Sequence, residues 1–329
     1  MENDSLYHFT TYDNFVSIIK SKKIFMFNAF SMKDTQEVIA GLEASILVVD
    51  DIISSIENND TLINSFTVAK KNILKEIEKI NKTDAILQDV FYFYILSLCR
   101  NIENEYLWDN YANNNTGVAI EFSKNEMEEN ISPYNDDFHP QVISWDTRDT
   151  IVPYLTGYIN NLPLRPIHYS FNSYNELLKA ELEQFKKEKH KDQNCATWIQ
   201  LIIFNLSSSF KLISETDYAK EEETRFLFSL SHTGTSQDLT FYFNKFFYNI
   251  DDLKVNSRKY IPLHLNPLEK ETWPLPFQKK HELIMSNCYP FAHIKRIVLG
   301  KHNKQLIHDI ENFLHQSGFY NIEVIKMPN

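Results

Sequence analysis

Glycine is scarce in this chain, and that scarcity limits the folds and chemistries open to it. Six glycines occur among 329 residues. The turns GxGxxG, GxxxxGK and GxSxG are all absent from the sequence, and each needs glycine for a backbone geometry that other residues rarely adopt. The sequence therefore excludes dinucleotide-binding Rossmann turns, P-loops and the nucleophile elbow of α/β-hydrolases.

Charge and hydropathy indicate a chain without membrane segments. The sequence has 33 Lys and Arg against 44 Asp and Glu, which gives a formal net charge of −11. This balance disfavours broad electrostatic wrapping of nucleic acid and leaves room for a local basic groove. The best apolar runs, residues 90–98 and 199–206, are shorter than the roughly 20 residues that cross a bilayer. We therefore expect a cytoplasmic protein.

Cysteine and histidine spacing predicts no metal site. Cys99, Cys195 and Cys288 lie far apart and form no CxxC or Cys/His ligand pattern. His281 and Glu282 lack the second histidine of an HExxH helix. We expect reduced, buried thiols and no bound metal.

The hydrophobic pattern predicts strands scattered along the whole chain with helices between them. Strands are expected at residues 5–9, 23–28, 93–100, 117–122, 142–145, 224–230, 239–243, 260–265, 294–299 and 322–325. Helices are expected after the capping pair Thr10 and Asp13, as a hairpin at 39–56 and 62–80, and at 103–111, 174–210, 276–285 and 306–314. The sequence therefore predicts one α+β domain over residues 1–329, centred on a sheet, with helical insertions at about 38–90 and 174–210.

A pattern of acidic and basic residues near position 221 is the first candidate site. On a strand that begins there, positions 221, 223 and 225 point to one face. Glu223 and Arg225 then project together toward a cleft, where Arg225 pairs with a carboxylate or grips a pyrophosphate. The acidic run 221–223 beside Lys220 is also typical of a solvated strand or helix end, so both interpretations stay open.

Five blocks along the chain resemble, in order, the signature blocks of the bacterial domain of unknown function 2971 family. They are LYHFTTYDNFVSIIKSKKIFMFN (6–28), FSMKDTQE (30–37), SLCRNIENEYLWDNYANNNTGVAIEF (97–122), KLISETDYAKEEETRFLF (211–228) and IKRIVLG (294–300). The most specific are Trp108 followed by Tyr111 and Gly117, and the Glu-x-Glu-x-Arg block that ends at Arg225. The resemblance spans nearly the whole chain.

One departure from that family affects the second block. Where the family has Asn-Asp-Pro before a Glu, this chain has Lys33, Asp34 and Thr35 before Glu37. The acidic positions are kept, whereas the turn residues are replaced. Asp34 and Glu37 either take part in catalysis or cap the following helix, where a negative charge is favourable against the helix dipole.

The opening block also resembles the start of the ADP-ribosyltransferase fold, as in DNA-modifying toxins whose first strand carries a histidine. This resemblance implies a split, strongly bent β-sheet that holds NAD in a cleft. It further implies an aromatic side chain near the second strand and a catalytic Glu on a later strand. The matching positions here are His8, then Phe25 or Phe27, and one of Glu221 and Glu223.

Cleavage of the nicotinamide glycosidic bond explains why these residue types are wanted. Positive charge builds on the ribose in an oxocarbenium-like transition state, which a fixed carboxylate binds better than it binds the ground state. We expect Glu223 as the catalyst, Glu221 as the other candidate carboxylate and His8 as a hydrogen-bond partner of a ribose hydroxyl. The residues expected to bind NAD are Tyr7, Phe27, Asn28, Trp108, Tyr111 and Arg225.

Several of these residues also have a purely structural interpretation. His8 taken alone is typical of a hydrogen-bonded strand histidine. Trp108 and Tyr111 share a helical face that suits core packing, and Asn28 can simply end its strand.

Two functions follow from these alternatives. The first is an ADP-ribosyltransferase-like enzyme, a toxin or phage-defence effector, that uses NAD to modify a nucleic acid or a protein. The second is a non-catalytic sensor or interaction protein that keeps the sheet and uses its cleft for recognition. The enzyme hypothesis requires His8, an aromatic side chain near Phe27 and Glu223 to meet at one cleft.

Overall fold

The structure, a computed structural model, describes residues 4–29, 36–82, 91–131, 143–145, 149–151, 164–189, 195–211, 218–231, 254–255, 258–265 and 292–328. The helices are α1 (Tyr12–Ser21), α2 (Gln36–Ser55), α3 (Asp60–Lys82), α4 (Glu105–Asn110), α5 (Lys124–Ile131), α6 (Phe171–Lys189), α7 (Cys195–Ser207) and α8 (Ile307–Gln316). The strands are β1 (Ser5–Thr10), β2 (Lys23–Asn28), β3 (Phe91–Cys99), β4 (Val118–Ser123), β5 (Ile143–Trp145), β6 (Asp149–Ile151), β7 (Leu164–Pro166), β8 (Glu223–Ser231), β9 (Lys254–Val255), β10 (Arg258–His264), β11 (Arg296–Leu299) and β12 (Glu323–Lys326).

Ten of these strands form one mixed sheet. Its path runs β12-β11-β4-β1-β3-β2-β10-β9, while β8 pairs with β3 and β7 pairs with β8. β11 and β12 are parallel, as the predicted β-α-β unit at the end of the chain requires. β5 and β6 form a separate antiparallel hairpin. The predicted α+β fold around a single large sheet is confirmed.

The sheet divides at the middle of β3. β8 pairs with the full length of β3 and so takes one of its two edges. β1 and β2 share the other edge: β1 pairs with it at Cys99, and β2 pairs with it at Ile95 and Tyr94. Ser97 lies between these two pairings, at a place that we call the split.

Side chains alternate between the two faces of the sheet. Glu223 is opposite Cys99, Cys99 is opposite Tyr7, and Tyr7 is opposite Glu121, so these four share a face that we call the front. The back face forms an apolar core with α1 and α8. Members of that core include Leu6, Phe15, Ile19, Leu98, Ile120, Phe226, Ile310 and Leu314.

Two groups of helices cover the front face. α2, α3, α6 and α7 form one apolar core with Ile95 and Leu227, which lie on neighbouring strands. α4 places Trp108 over Phe9 in a second, smaller core. The front positions of β3 and β8 that lie between these two cores are polar, and they carry the candidate site.

The start of α1 differs from the prediction by one residue. Thr11 rather than Thr10 is the N-cap, since its side chain accepts a hydrogen bond from the N–H of Asn14 at 3.3 Å. Thr10 is the last residue of β1, where it pairs with Val118. Two successive threonines made the boundary ambiguous in the sequence.

The other expected elements differ from the structure mainly at short or weakly patterned segments. Four elements were not predicted from the sequence: the helix α5 and the strands β6, β7 and β9. The three strands have two or three residues each, which is too short for alternation to be recognised. Glu37 lies at the second position of α2, whereas Asp34, Cys288 and the elements expected at 239–243 and 276–285 lie outside the described residues. The predicted extent of the domain stays a prediction.

Two further expectations concern thiols and membranes. Cys99 and Cys195 are buried and neither forms a disulfide, as predicted. Across the residues that the structure describes, none of the helices combines the length and apolar character needed to cross a membrane.

Helices α2 and α7 approach each other through their backbones at Gly41. A Cβ added to Gly41 would lie 2.2 Å from the carbonyl oxygen of Ser207 and 2.7 Å from its Cα. The hydroxyls of Ser45 and Tyr174 donate hydrogen bonds to the Gly41 carbonyl at 2.7 and 3.3 Å. Position 41 therefore requires a residue without a side chain.

Gly41→Ala is expected to destabilise the protein by about 1–3 kcal/mol, because the added methyl group meets backbone atoms that cannot rotate away. Helix propensity alone acts in the opposite direction, since alanine favours a helix over glycine by about 1 kcal/mol. Chemical denaturation measures the free energy of unfolding, with the exposed Glu43→Ala in the same helix as the control. A Gly41→Ala protein more stable than wild type contradicts this packing.

Candidate functional site

Four buried charged side chains meet on the front face beside the split. Lys211 Nζ lies 2.9 Å from Glu221 Oε2 and 3.0 Å from Glu223 Oε2. Arg225 Nε lies 2.8 Å from Glu223 Oε1. We call these four residues the charge cluster. Its two positive and two negative charges balance, which is what buried ionised groups require.

The backbone at Glu222 brings the two carboxylates together. A short 3-10 turn ends at Glu221 and β8 begins at Glu223. Between them Glu222 takes a left-handed conformation with φ of 47° while its own side chain is exposed. Such a conformation is uncommon for residues other than glycine and is often kept where function requires it. Here it allows both neighbouring carboxylates to reach Lys211.

Hydroxyl groups complete the surroundings of the two carboxylates. Ser97 Oγ donates to Glu223 Oε1 at 2.5 Å, and the Tyr111 hydroxyl donates to Glu221 Oε1 at 2.6 Å. The N–H of Glu223 donates to the hydroxyl oxygen of Tyr169 at 3.1 Å. The site is therefore held by β3, α4, β8 and the residues that precede α6 and follow α7.

The two carboxylates differ in how fully their oxygens are used. Glu223 Oε1 accepts from Arg225 and Ser97, and Glu223 Oε2 accepts from Arg225 at 3.2 Å and from Lys211. Glu221 accepts one hydrogen bond at each oxygen from the described residues, from Tyr111 and from Lys211. A carboxylate has about four acceptor positions. Glu221 is thus the carboxylate with capacity for a ligand.

Electrostatics keep Glu223 ionised. Burial acts to raise the pKa of this carboxyl, but the charges of Arg225 and Lys211 outweigh it and lower the pKa from 4.5 to about 2. Burial raises the pKa of Tyr169 to about 12. Burial and the hydrogen bond to Glu221 also raise the pKa of Tyr111, so this hydroxyl keeps its proton and acts as a donor.

His8 reaches the split from the other side of the sheet. It pairs with Ile120 of the back-face core, so strand alternation places it on the face opposite Glu223. Its Nδ1 nevertheless lies 3.4 Å from the backbone oxygen of Ser97. Burial lowers the pKa of the His8 imidazole, which makes the ring neutral at pH 7. Within the described part of the chain no hydrogen bond joins His8 to Glu223, and the two side chains lie on opposite faces of the sheet, whereas the enzyme hypothesis expected them on one face.

The three aromatic residues predicted to bind NAD differ in their exposure to solvent and in their contacts. Phe27 is half-buried and pairs with Ile95, on the far side of the split from Tyr7. Tyr111 is 48% exposed and contacts Glu221. Trp108 is 1% exposed, and its Nε1–H donates to the Ile102 oxygen at 2.6 Å. Its structural interpretation therefore fits better than ligand stacking.

Three other predicted NAD-binding residues face the protein interior. Tyr7 is 4% exposed, Asn28 is fully buried, and Arg225 is 1% exposed. Arg225 pairs with Glu223 and donates to the Ser208 oxygen at 2.6 Å. The sequence left two partners open for Arg225, a carboxylate or a pyrophosphate. In the structure Arg225 binds the Glu223 carboxylate.

Sequence reasoning missed Ser97, Tyr169 and Lys211 as members of the site. Ser97 and Lys211 open two of the family-like blocks, which is the signal that could have found them. Tyr169 lies in a segment with little pattern. Among the described residues, no group of three or more His, Cys, Asp or Glu side chains is arranged to hold a metal ion.

The pKa of Glu223 predicts a window of acid sensitivity. Because its folded-state pKa of about 2 lies below the ordinary 4.5, this carboxylate contributes stability that is fully present above pH 4.5 and is lost as the pH falls through about 2. Urea denaturation is therefore expected to show a stability difference between wild type and Glu223→Gln that shrinks across this range. A difference that does not change with pH contradicts the ion pairs, and Glu105→Gln, which removes an exposed carboxylate, is the control.

Comparison with known protein families gives a match over part of the chain. A family model described as Protein of unknown function (DUF2971) matches residues 107–226. The matched segment includes the two most specific motifs of the family resemblance, Trp108, Tyr111, Gly117, Glu221, Glu223 and Arg225. No curated protein and no solved structure matches the chain. The segment that supplies both carboxylates of the charge cluster is thus, over residues 107–226, similar to the DUF2971 family.

Proposed function

We propose that this chain is an ADP-ribosyltransferase-like enzyme, a toxin or phage-defence effector, that uses NAD to modify a nucleic acid or protein target, with the nicotinamide-bearing ribose bound at the split. The observation that carries this proposal is the double contact of Ser97. Its backbone oxygen lies 3.4 Å from the His8 imidazole, and its hydroxyl donates to Glu223 at 2.5 Å. Histidine and carboxylate therefore contact one residue from opposite faces of the sheet, so the proposal places the carboxylates against the sugar and keeps His8 behind Ser97.

The reaction is a glycosyl transfer. The bond between ribose C1′ and the nicotinamide nitrogen breaks, and nicotinamide leaves as a neutral base with the electron pair of that bond. C1′ then forms a bond to an oxygen or nitrogen of the target, whose proton passes to solvent. With water in place of the target, the product is free ADP-ribose. The barrier lies in the positive charge that develops on the ribose.

Glu221 is the carboxylate best suited to touch the ribose. Each of its oxygens accepts one hydrogen bond from the described residues, which leaves room for ribose hydroxyls. Its donor Tyr111 is 48% exposed, so solvent reaches this end of the charge cluster. A negative charge fixed there stabilises the oxocarbenium-like transition state.

Glu223 then acts as a positioning residue. Its four acceptor positions are used by Arg225, Lys211 and Ser97, and its pKa of about 2 keeps it charged. It anchors Lys211, which also holds Glu221. This division revises the expectation that Glu223 itself contacts the sugar, and the two variants described below separate the alternatives.

His8 and Phe27 border the split on its other sides. The neutral imidazole that the lowered pKa of His8 implies can donate a hydrogen bond to the Ser97 oxygen from the back face, which makes His8 a positioning residue for Ser97. Phe27 is half-buried and offers an aromatic face near the split.

One observation favours the second candidate, a non-catalytic sensor or interaction protein. Both carboxylates already pair with cations, and the four charged side chains are at most 8% exposed. A balanced, buried set of charges can serve to fix the fold at the split instead of carrying out chemistry. Turnover of NAD distinguishes the two functions.

The test is release of nicotinamide from NAD by the purified full chain. Wild type is expected to release nicotinamide, and Glu221→Gln to reduce the rate about 100-fold or more, the usual cost of removing one group that stabilises transition-state charge. Glu223→Gln is expected to lower the rate through the placement of Lys211, and by less than Glu221→Gln does. A larger loss in Glu223→Gln indicates that Glu223 itself contacts the sugar. Glu105→Gln, an exposed carboxylate on α4, is the matched control and is expected to act like wild type.

Two outcomes contradict the enzyme hypothesis. The first is no nicotinamide release by folded wild-type protein when nucleic acid and protein targets are supplied. The second is equal release by Glu221→Gln, Glu223→Gln and Glu105→Gln. Thermal unfolding of each variant separates a loss of chemistry from a loss of fold.

A further inference from the structure

One buried side chain joins helix α4 to the turn that leads to Glu221. Asn104 directly precedes α4 and is 6% exposed. Its side-chain oxygen accepts a hydrogen bond from the N–H of Leu107 at 3.1 Å. Its side-chain nitrogen, Nδ2, donates a hydrogen bond to the backbone oxygen of Lys220 at 2.7 Å. The partners fix the orientation of the amide, because a backbone N–H only donates and a carbonyl oxygen only accepts.

These two contacts cap two helical segments at once. The first N–H groups and the last carbonyl groups of a helix lack partners within that helix. Asparagine is a favoured cap at a helix start, where its oxygen binds one of those N–H groups. Lys220 lies at the end of the 3-10 turn Tyr218–Glu221, so its carbonyl is one of the terminal acceptors. Asn104 therefore caps both the start of α4 and the end of the turn that carries Glu221.

The other end of α4 contacts the Glu221 side chain. Tyr111 follows the last residue of α4, and its hydroxyl donates to Glu221 Oε1 at 2.6 Å. Between the two ends, the Tyr106 ring centroid lies 5.9 Å from Lys220 Nζ. α4 thus holds the backbone before Glu221 through Asn104 and the carboxylate of Glu221 through Tyr111.

α4 is itself fixed to the sheet by buried packing. Trp108 is 1% exposed, and its ring centroid lies 5.1 Å from that of Phe9 in β1, in an edge-to-face arrangement. Leu107, whose N–H binds Asn104, is 7% exposed in the same small core. The sheet therefore determines where α4 lies, and Asn104 relates the turn to that position.

We propose that Asn104 is a positioning residue that holds the turn before Glu221, so that this carboxylate stays between Tyr111 and Lys211 at the split. Asn104 acts through Glu221 and does not itself contact the ribose. Its effect on catalysis rests on the function proposed above, whereas its hold on the turn does not. The left-handed backbone at Glu222, the next residue, gives such a restraint a purpose, because an unfavourable conformation persists only where its surroundings enforce it.

Two substitutions separate this role from helix capping. Asn104→Ser and Asn104→Asp both keep a side-chain oxygen that caps a helix start about as well as asparagine does. Both lack the Nδ2 donor to the Lys220 oxygen. Asn101→Asp is the matched control for added charge, since Asn101 is exposed and its oxygen, which accepts from the N–H of Glu103 at 3.0 Å, is kept in aspartate.

The first measurement is hydrogen exchange of the full chain without NAD, followed by mass spectrometry. Both Asn104 variants are expected to speed the exchange of amides in residues 218–223 roughly tenfold, as the loss of one buried hydrogen bond implies. Exchange in residues 105–110 is expected to stay within about twofold of wild type, because the cap is kept. Asn101→Asp is expected to match wild type in both segments. An equal increase in both segments indicates a general loss of stability and contradicts the proposal.

The second measurement is the rate of nicotinamide release from NAD. Both Asn104 variants are expected to lower kcat about 10- to 100-fold, a range that reaches the usual cost of misplacing a catalytic group by about 1 Å. KM is expected to stay within about threefold of wild type, because Glu221 binds the charge of the transition state more than it binds the substrate. Asn101→Asp is expected to keep the wild-type kcat.

The two measurements distinguish this inference from the proposed function. If wild type releases nicotinamide and the Asn104 variants keep its kcat, Asn104 is not a positioning residue and the proposed function stands. If exchange in residues 218–223 is unchanged in the variants, Asn104 does not hold the turn. If exchange increases there as expected but wild type consumes no NAD, the hold on the turn stands and the proposed function fails.

Discussion

The two edges of β3 are the constraint on which the site depends. β8 occupies one edge completely, so β1 and β2 must divide the other. Where they part, the ladder of hydrogen bonds is interrupted at the carbonyl oxygen of Ser97, and a backbone acceptor without a ladder partner binds a side chain or water instead. The His8 imidazole lies at that carbonyl oxygen. The hydroxyl of Ser97 lies on the front face, where it donates to Glu223. Ser97 therefore connects His8 on one face of the sheet with the charge cluster on the other.

The charge cluster lies directly in front of this place. Buried ion pairs contribute little net stability, because the cost of removing charges from water offsets their attraction, but losing one partner is strongly destabilising. The arrangement of Lys211 between two carboxylates therefore fixes geometry more than it adds stability. The left-handed backbone at Glu222 likewise serves geometry at the expense of stability. This conformation is unfavourable for a residue other than glycine, and it places Glu221 and Glu223 around one cation.

Much of the fold could be predicted from hydrophobic periodicity, and so could one relation within the site. Alternation along a strand placed Glu223 and Arg225 on one face, where they are in contact. The same rule could not place His8 relative to Glu223, because their faces depend on the register of β1, β3 and β8, which pairs residues far apart in the chain. The sequence also could not show that Lys211 folds back onto both carboxylates, or that Tyr7 and Asn28 face inward, because burial follows from packing across the sheet.

The proposed function requires the split to hold the reacting ribose. A crystal structure with a non-hydrolysable NAD analogue is the most direct test of this binding. We expect density for the nicotinamide-bearing ribose on the front face beside Ser97, with its hydroxyls within hydrogen-bond distance of Glu221 and with the His8 ring still at the Ser97 oxygen behind the sheet. An analogue bound elsewhere, or a site that stays empty at saturating concentration while the charge cluster is unchanged, contradicts it.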